Sequence, residues 1–253
     1  MCDCLKGVEA FEIVERDDGY FDANDGRVYL STYDQWSPVQ KQAIEHARGK
    51  VLDIGCGAGR HVIYLQNKGL EVVGIDISPL AVETCRLRGL SDARVMSISE
   101  VTSGLGAFDT ILMMGNNFGL FGSRAGAKKL LKRLLGVTSA DAVIIAESMD
   151  PHETQRQEHL TYHRRNVNRG RMPGQVRIRV RYRKYVTPWF DYLFVSEGEM
   201  TDILDDTGWR IKEVIAGQGP AYVAVIEKGK RPVLDKVSSE EVVRSIREDR
   251  EQR

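Results

Sequence analysis

The chain has 253 residues, and its 36 Lys and Arg balance its 36 Asp and Glu, so the formal net charge is zero. Its 42% hydrophobic residues supply enough apolar surface for a sizeable core, which excludes a mainly disordered protein. No stretch approaches the roughly 20 apolar residues that span a bilayer, so we expect no membrane contact. The zero balance argues against a polyanionic partner only if the charges are evenly mixed.

Four cysteines occur in the chain, at Cys2, Cys4, Cys56 and Cys85. They are too few for a disulfide scaffold, and the first ten residues show no signal-peptide pattern. We therefore expect reduced thiols and a cytoplasmic protein. The two N-terminal cysteines could form half of a metal site, but no Cys or His pair with zinc spacing follows, so we predict no metal.

Residues 1–36 are polar, aromatic-rich and weakly periodic, and Ser37-Pro38 then begins a helix predicted to end near Arg48. From residue 50 onward, short apolar runs alternate with helical segments. The predicted strands are 51–54, 71–77, 94–98, 108–114 and 141–148, and the predicted helices are 60–68, 79–88 and 125–135. Such apolar strands, separated by helices, predict a parallel sheet that is covered on both faces.

Residues 151–188 interrupt this alternation. A strand over 189–195, a helix from Ser196 with a capping box to Glu199, and a strand pair over 209–216 and 221–227 are predicted to follow. Residues 239–253 carry opposite charges at i,i+4 spacing and predict a charged tail helix.

A strand that runs into three glycines and then a helix is the most specific motif. Gly55, Gly57 and Gly59 allow a sharp turn and the close approach of a ligand. A dinucleotide fingerprint would place a glycine at position 60, where this chain has Arg60, and does not include an acid such as Asp53 within the strand.

The next strand ends in an acid, Asp76, 17 residues after Gly59. Its two carboxylate oxygens can accept both hydroxyls of a ribose. Together the two segments resemble the first two motifs of class I S-adenosylmethionine-dependent methyltransferases. The resemblance covers about residues 50–227 and is closest over 50–120.

This resemblance implies a doubly wound, mostly parallel seven-stranded sheet with an inserted antiparallel β lid. It also implies S-adenosyl-L-methionine as cofactor and S-adenosyl-L-homocysteine as product. In such enzymes the glycine loop passes under the methionine, while the acids orient its amino-acid end and hold the ribose. The residues that the resemblance assigns to the cofactor are Asp53, Gly55, Cys56, Gly57, Gly59, Asp76, Ile77, Ser97, Ile98 and Met114. The third motif departs from the family pattern at Ser97 and Ile98.

The loop after the fourth strand should face the transferred methyl group, because ligands of doubly wound folds lie at the carboxyl ends of the strands. It contains Asn116, Asn117 and Phe118, and it is similar to the corresponding loop of glycine and sarcosine N-methyltransferases. The amides are candidates for aligning a substrate, although asparagine is also a common turn former. The candidate catalytic residues are Asn116, Asn117, His152 and Tyr33.

Residues 156–184 carry a charge of +9, so the remainder of the chain carries −9. Arg177, Arg179 and Arg181 alternate with apolar residues, which predicts a strand over 175–186. This arginine face could pair with the protein's own acids, clamp an anionic substrate or follow a nucleic-acid backbone. The candidate substrate contacts are these three arginines together with Asn116, Asn117 and Phe118. The basic insert is also a candidate homodimer surface.

The predicted organisation is an N-terminal segment, residues 1–49, that caps the cofactor site, followed by a cofactor-binding core over 50–150 and 189–230, a basic lid over 151–188, and a charged tail helix over 231–253. The predicted function is methyl transfer to a nitrogen or oxygen of a small, anionic molecule. The alternatives are a nucleic-acid methyltransferase that uses the basic insert, and a protein that binds S-adenosylmethionine without catalysis.

Overall fold

The computed structural model describes residues 2–229, so the predicted tail helix lies outside the described residues. The helices are α1 Cys2–Leu5, α2 Pro38–Ile44, α3 Arg60–Asn67, α4 Pro79–Leu87, α5 Arg124–Leu134, α6 Gln157–Asn168 and α7 Glu197–Leu204. The strands are β1 Phe11–Arg16, β2 Phe21–Asp25, β3 Lys50–Ile54, β4 Glu71–Asp76, β5 Ala93–Val95, β6 Phe108–Met113, β7 Thr138–Met149, β8 Gln175–Tyr182, β9 Tyr185–Val186, β10 Phe190–Leu193, β11 Trp209–Ala216 and β12 Ala221–Lys228. None of these helices combines the length and apolar character that crossing a bilayer requires.

Seven strands form the central sheet in the order β11-β12-β7-β6-β3-β4-β5. The strands from β7 to β5 are parallel, and β12 is antiparallel to both β7 and β11. The predicted doubly wound, mostly parallel seven-stranded sheet is confirmed. Its strands are nearly all apolar because helices cover both faces.

Two apolar clusters lie on opposite faces of this sheet. Ile144 packs into one cluster with Leu131 of α5, and Ile145 packs into the other with Ile44 of α2. Side chains of a strand alternate between the two faces, so this assignment fixes the face of every neighbouring residue. Asp53, which follows Leu52 in the first cluster, therefore points to the face that carries α2 and α3.

A second, antiparallel sheet has the order β10-β8-β1-β2, with β9 paired to β8. We call it the lid sheet. It joins the N-terminal segment to the basic insert, a pairing that the sequence did not predict. The strand predicted over 175–186 is a hairpin, because the chain turns at Arg183, whose φ is 51°, and returns so that Tyr185 pairs with Tyr182. The strand predicted near 189–195 also belongs to the lid sheet, as β10.

The arginine face of β8 is paired with acids of the same sheet. Arg179 and Arg181 bind the carboxylate of Glu15 on β1 at 2.9 and 2.6 Å, and Arg177 lies 3.4 Å from Asp191 on β10. Hydrogen bonds from Arg179 and Arg181 lower the pKa of Glu15 to about 2. Of the three interpretations of the arginine face, this pairing agrees with the first.

We expect the Glu15→Gln variant to be modestly less stable than the wild type at neutral pH. The pKa of Glu15 is depressed from 4.5 to about 2 in the folded protein, so its pairing stabilises the fold above pH 4.5 and is lost as pH falls toward 2. Thermal melts from pH 7 down to pH 3 should show the difference between the two proteins narrowing. Glu83→Gln, which alters an exposed residue of α4, is the control. A difference that does not depend on pH would contradict this assignment.

Candidate active site

The glycine loop joins β3 to α3 with three residues in left-handed conformations. Gly55, Gly57 and Gly59 have φ values of 75°, 56° and 78°, which residues other than glycine rarely adopt. The N–H groups of Gly55 and Cys56 both donate to the carbonyl oxygen of Ile75, at 2.8 and 3.0 Å. The loop is therefore folded against the end of the neighbouring strand β4.

Asp76 ends β4 directly beside this loop. One carboxylate oxygen accepts a hydrogen bond from the Gly57 N–H at 3.0 Å, and the other accepts one from the Ser78 N–H at 2.8 Å. Burial raises the pKa of Asp76, and the two backbone donors oppose that rise. Each oxygen retains lone-pair capacity, so the oriented carboxylate can still accept a pair of vicinal hydroxyls.

An apolar surface adjoins Asp76. Ile77 is 67% exposed although it follows a buried strand, which leaves its side chain available to a flat ring. The Met96 N–H donates to the Asp76 carbonyl oxygen at 3.0 Å and so brings Ser97 and Ile98 to the same place. The Ser97 hydroxyl accepts from the Ser99 N–H at 3.2 Å, and Ile98 packs against the core. Their contact with a cofactor stays a prediction.

Asp53 is only 2% exposed, and within residues 2–229 its side-chain carboxylate has no hydrogen-bond or ion-pair partner. Burial, followed by the charge of Asp76, raises its pKa to about 8, and the charge of Arg60 opposes the rise. A buried carboxyl group of this kind is stabilised in its ionised form by an adjacent cation. Asp53 is therefore suited to hold a ligand ammonium group.

Arg60, the first residue of α3, places a partly buried guanidinium at the same site. It donates to the Ser31 hydroxyl at 3.3 Å, while burial lowers its pKa and the charges of Glu147 and Asp53 oppose that shift. A guanidinium with so few direct partners can bind a ligand carboxylate. In the sequence, Arg60 stands out only as a departure from the dinucleotide pattern, and this role was not predicted.

Glu147, near the end of β7, is a polar residue of the site that was not predicted from the sequence. It is 8% exposed, accepts from the Gly115 N–H at 2.6 Å and binds the side-chain amide of Gln40 at 3.1 Å. It lies on the same sheet face as Asp53, because Val143 and Ile145 pack into the cluster on that face. Glu147 could have been found in the sequence as an acid that follows an apolar run at the carboxyl end of a predicted strand.

Two tyrosines cover the site from the N-terminal segment and the lid sheet. The ring of Tyr29 lies 3.7 Å from the position that a Cβ on Gly57 would occupy, and its hydroxyl donates to Glu12 of β1. The hydroxyl of Tyr192 on β10 donates to the carbonyl oxygen of Asn116 at 2.6 Å. A cap over the cofactor site from the N-terminal segment was predicted, whereas the contribution of β10 was not.

The strand register shows where the arginines lie relative to this cover. Glu12 and Tyr192 are on one face of the lid sheet, and Arg177, Arg179 and Arg181 are on the opposite face. The structure therefore does not bring these three candidate substrate contacts to the glycine loop. Side-chain alternation along the strands is the reason.

The residues of the loop after β6 differ in what they contact. The Asn117 amide donates to the carbonyl oxygens of Ile54 and Gly55 at 3.0 and 2.8 Å and so braces the glycine loop. Phe118 is fully buried and packs edge-to-face on Phe121, which makes it a core residue rather than a substrate contact. The Asn116 side-chain oxygen is buried and has no partner in the part of the chain that the structure describes.

The other candidates make contacts elsewhere. Tyr33 stacks on Tyr64 of α3 with ring centroids 4.6 Å apart, and His152 lies 3.4 Å from Glu199 of α7. Cys56 is buried with its sulfur 3.8 Å from that of Cys85. Met114 is buried in the cluster that faces α2 and α3. Within residues 2–229, no group of His, Cys, Asp or Glu side chains forms a metal site.

Residues 51–141 match the family described as a methyltransferase domain. The chain is 23% identical over 131 residues to the putative methyltransferase YqeM of Bacillus subtilis, covering 50% of this chain and 53% of that protein. It is 35% identical over 77 residues to the ubiquinone biosynthesis O-methyltransferase of Xanthomonas euvesicatoria, covering 28% of this chain and 32% of that protein. The alignments thus span about half or less of these curated relatives.

Solved structures match over more of the chain. A methyltransferase from Bacteroides fragilis, crystallised with S-adenosyl-L-homocysteine, has a TM-score of 0.76 and 25% identity, covering 89% of this chain and 91% of its own. The 1,6-didemethyltoxoflavin-N1-methyltransferase of Burkholderia thailandensis has a TM-score of 0.51 and 15% identity, covering 76% of this chain and 79% of its own, and shows a shared fold.

The match over residues 51–141 and the TM-score of 0.76 support a class I S-adenosylmethionine-dependent methyltransferase domain, with S-adenosylmethionine as the cofactor. The residues present fit that molecule group by group. Asp53 suits its ammonium, Arg60 its carboxylate, Asp76 its ribose and Ile77 its adenine. The likeness of the Asn116 loop to that of glycine and sarcosine N-methyltransferases stays a prediction.

We expect Gly57→Ala to abolish tight binding of S-adenosyl-L-homocysteine, because a Cβ strains the left-handed backbone that directs the Gly57 N–H to Asp76. Gly69→Ala is the matched control, since Gly69 also has positive φ but has open space around it, at the end of α3. Both variants should lose about 1–2 kcal/mol of unfolding free energy through the left-handed backbone. Denaturant unfolding and calorimetric titration measure the two effects. Equal loss of affinity in both variants would contradict the assigned role of the loop.

Proposed function

We propose that the protein is an enzyme that transfers the methyl group of S-adenosylmethionine to a nitrogen or oxygen atom of a small molecule. One observation carries the proposal. At the carboxyl ends of β3, β4, β6 and β7, the groups that fit the cofactor adjoin two polar groups, Asn116 and Glu147, to which no part of the cofactor has been assigned. These two are therefore available to a second molecule.

When bound, the cofactor supplies a methyl group on a positively charged sulfur, which is already reactive toward a nucleophile. The residues of the chain have to position the reactants and exclude water. Asp76 is fixed by two backbone donors, and Tyr29 and Tyr192 cover the site from above. Orientation of this kind can lower a barrier by about 7–11 kcal/mol, so positioning alone can supply much of the rate enhancement.

The anionic character predicted for the substrate depended on the arginines of β8. Because Arg177, Arg179 and Arg181 are paired with acids on the outer face of the lid sheet, they do not support it. The substrate of the proposed reaction therefore need not be anionic. The same pairing weakens the nucleic-acid alternative, since a phosphate would have to compete with Glu15 and Asp191.

We expect Asp76→Asn to weaken the binding of S-adenosyl-L-homocysteine by roughly 10- to 100-fold, the effect of losing charge-assisted hydrogen bonds. Calorimetric titration of the purified protein measures this. Asp22→Asn, a change at an exposed position of β2, is the control and should bind as the wild type does. Unchanged affinity of Asp76→Asn would contradict the cofactor site.

Transfer of labelled methyl groups to panels of small amines, phenols and carboxylic acids, and to RNA, tests the catalytic proposal. We expect transfer to a small molecule, with a rate that changes little between low and high salt. A rate that falls steeply with salt and transfer confined to RNA would favour the nucleic-acid alternative. Cofactor binding without transfer to any panel would favour the non-catalytic alternative.

A further inference from the structure

The carboxylate of Glu147 retains an unused oxygen at the transfer end of the site. Oε2 accepts from the Gly115 N–H at 2.6 Å and from the Gln40 amide at 3.1 Å. Oε1 has only the Gln40 amide, at the long distance of 3.4 Å. Glu147 also lies close enough to Arg60 and Tyr192 to influence both side chains electrostatically. Its free acceptor capacity is therefore at the place where β6, α3 and β10 meet.

Asn116 provides a second unused acceptor on the adjoining loop. Its side-chain oxygen is buried and has no hydrogen-bond partner within residues 2–229. The residue has a left-handed backbone, with φ of 64°, and the Tyr192 hydroxyl holds its carbonyl oxygen at 2.6 Å. Buried polar atoms normally have a partner, so an unmet acceptor beside a ligand site points to a donor on the ligand.

Resting on the proposed function, we propose that Glu147 and Asn116 form the acceptor subsite and that the methylated atom is an amine nitrogen. Both groups accept hydrogen bonds, and one is negatively charged. A carboxylate substrate would be repelled by Glu147, and a hydroxyl offers a single hydrogen for two acceptors. An amine arrives as a cation with several N–H donors and satisfies both. The remainder of the substrate can carry any charge.

These residues can take up the proton that methyl transfer to an amine nitrogen releases. An ammonium substrate releases one N–H proton to the Glu147 carboxylate, which later passes it to water. The freed nitrogen lone pair forms the bond to the methyl carbon, while the electron pair of the carbon–sulfur bond goes to sulfur. The products are the methylated ammonium ion and a neutral thioether, S-adenosyl-L-homocysteine.

Sinefungin tests this subsite without knowledge of the substrate. It carries a primary ammonium group where S-adenosylmethionine carries its sulfonium methyl, whereas S-adenosyl-L-homocysteine carries neither. We expect the wild type to bind sinefungin roughly tenfold or more tightly than S-adenosyl-L-homocysteine, as charge-assisted hydrogen bonds imply. Glu147→Gln, which keeps an acceptor for Gly115, should lose most of that preference while its affinity for S-adenosyl-L-homocysteine changes little.

Two further variants complete the calorimetric comparison. Asn116→Gly tolerates the left-handed backbone and removes the side-chain oxygen, so it should also reduce the preference for sinefungin. If Glu147→Gln fails to fold, Asn116→Gly tests the acceptor subsite by itself. Glu153→Gln alters an exposed acid beyond β7 and should match the wild type. A preference unchanged in Glu147→Gln and Asn116→Gly, or absent from the wild type, would overturn the subsite. Failure of the wild type to bind either compound would instead overturn the proposed function.

Discussion

The hydrogen bond from the Gly57 N–H to the Asp76 carboxylate is the interaction on which the site depends. It can form only because the loop after β3 turns back through left-handed glycines and meets the end of β4, its parallel neighbour. The same bond orients the acid and fixes the loop. The Asn117 amide then braces the loop from the β6 side, so three consecutive strand ends form one rigid cradle.

Charge is distributed unequally around this cradle. Asp53, Asp76 and Glu147 are buried or nearly so, and Arg60 is the cation that lies among them. Burying charges is unfavourable unless they are paired, so a site with more carboxylates than cations is completed by a ligand that brings positive charge. A cofactor with an ammonium and a sulfonium, followed by an amine substrate, meets that requirement.

The net charge of zero conceals this arrangement. The arginines of β8, which supply part of the +9 of residues 156–184, are paired with Glu15 and Asp191 within the lid sheet and so are not a free basic face. Pairing β1 with β8 has a second consequence, since it places Glu12 and Tyr192 on the inner face, toward the cofactor site. The basic insert therefore contributes to the site through a tyrosine of β10 rather than through its arginines.

The sequence by itself determined the parallel sheet, the glycine loop and Asp76, because these depend on local patterns: apolar strands, required left-handed glycines and an acid at a strand end. It did not determine the lid sheet, since the partners β1 and β8 are distant in sequence and either face of β8 could have pointed inward. The sequence also favoured Phe118 and the arginines of β8 as substrate contacts and gave no role to Glu147 or Arg60. Only the tertiary structure decided this, because burial and the pairing of distant charges determine which polar groups remain available to a ligand.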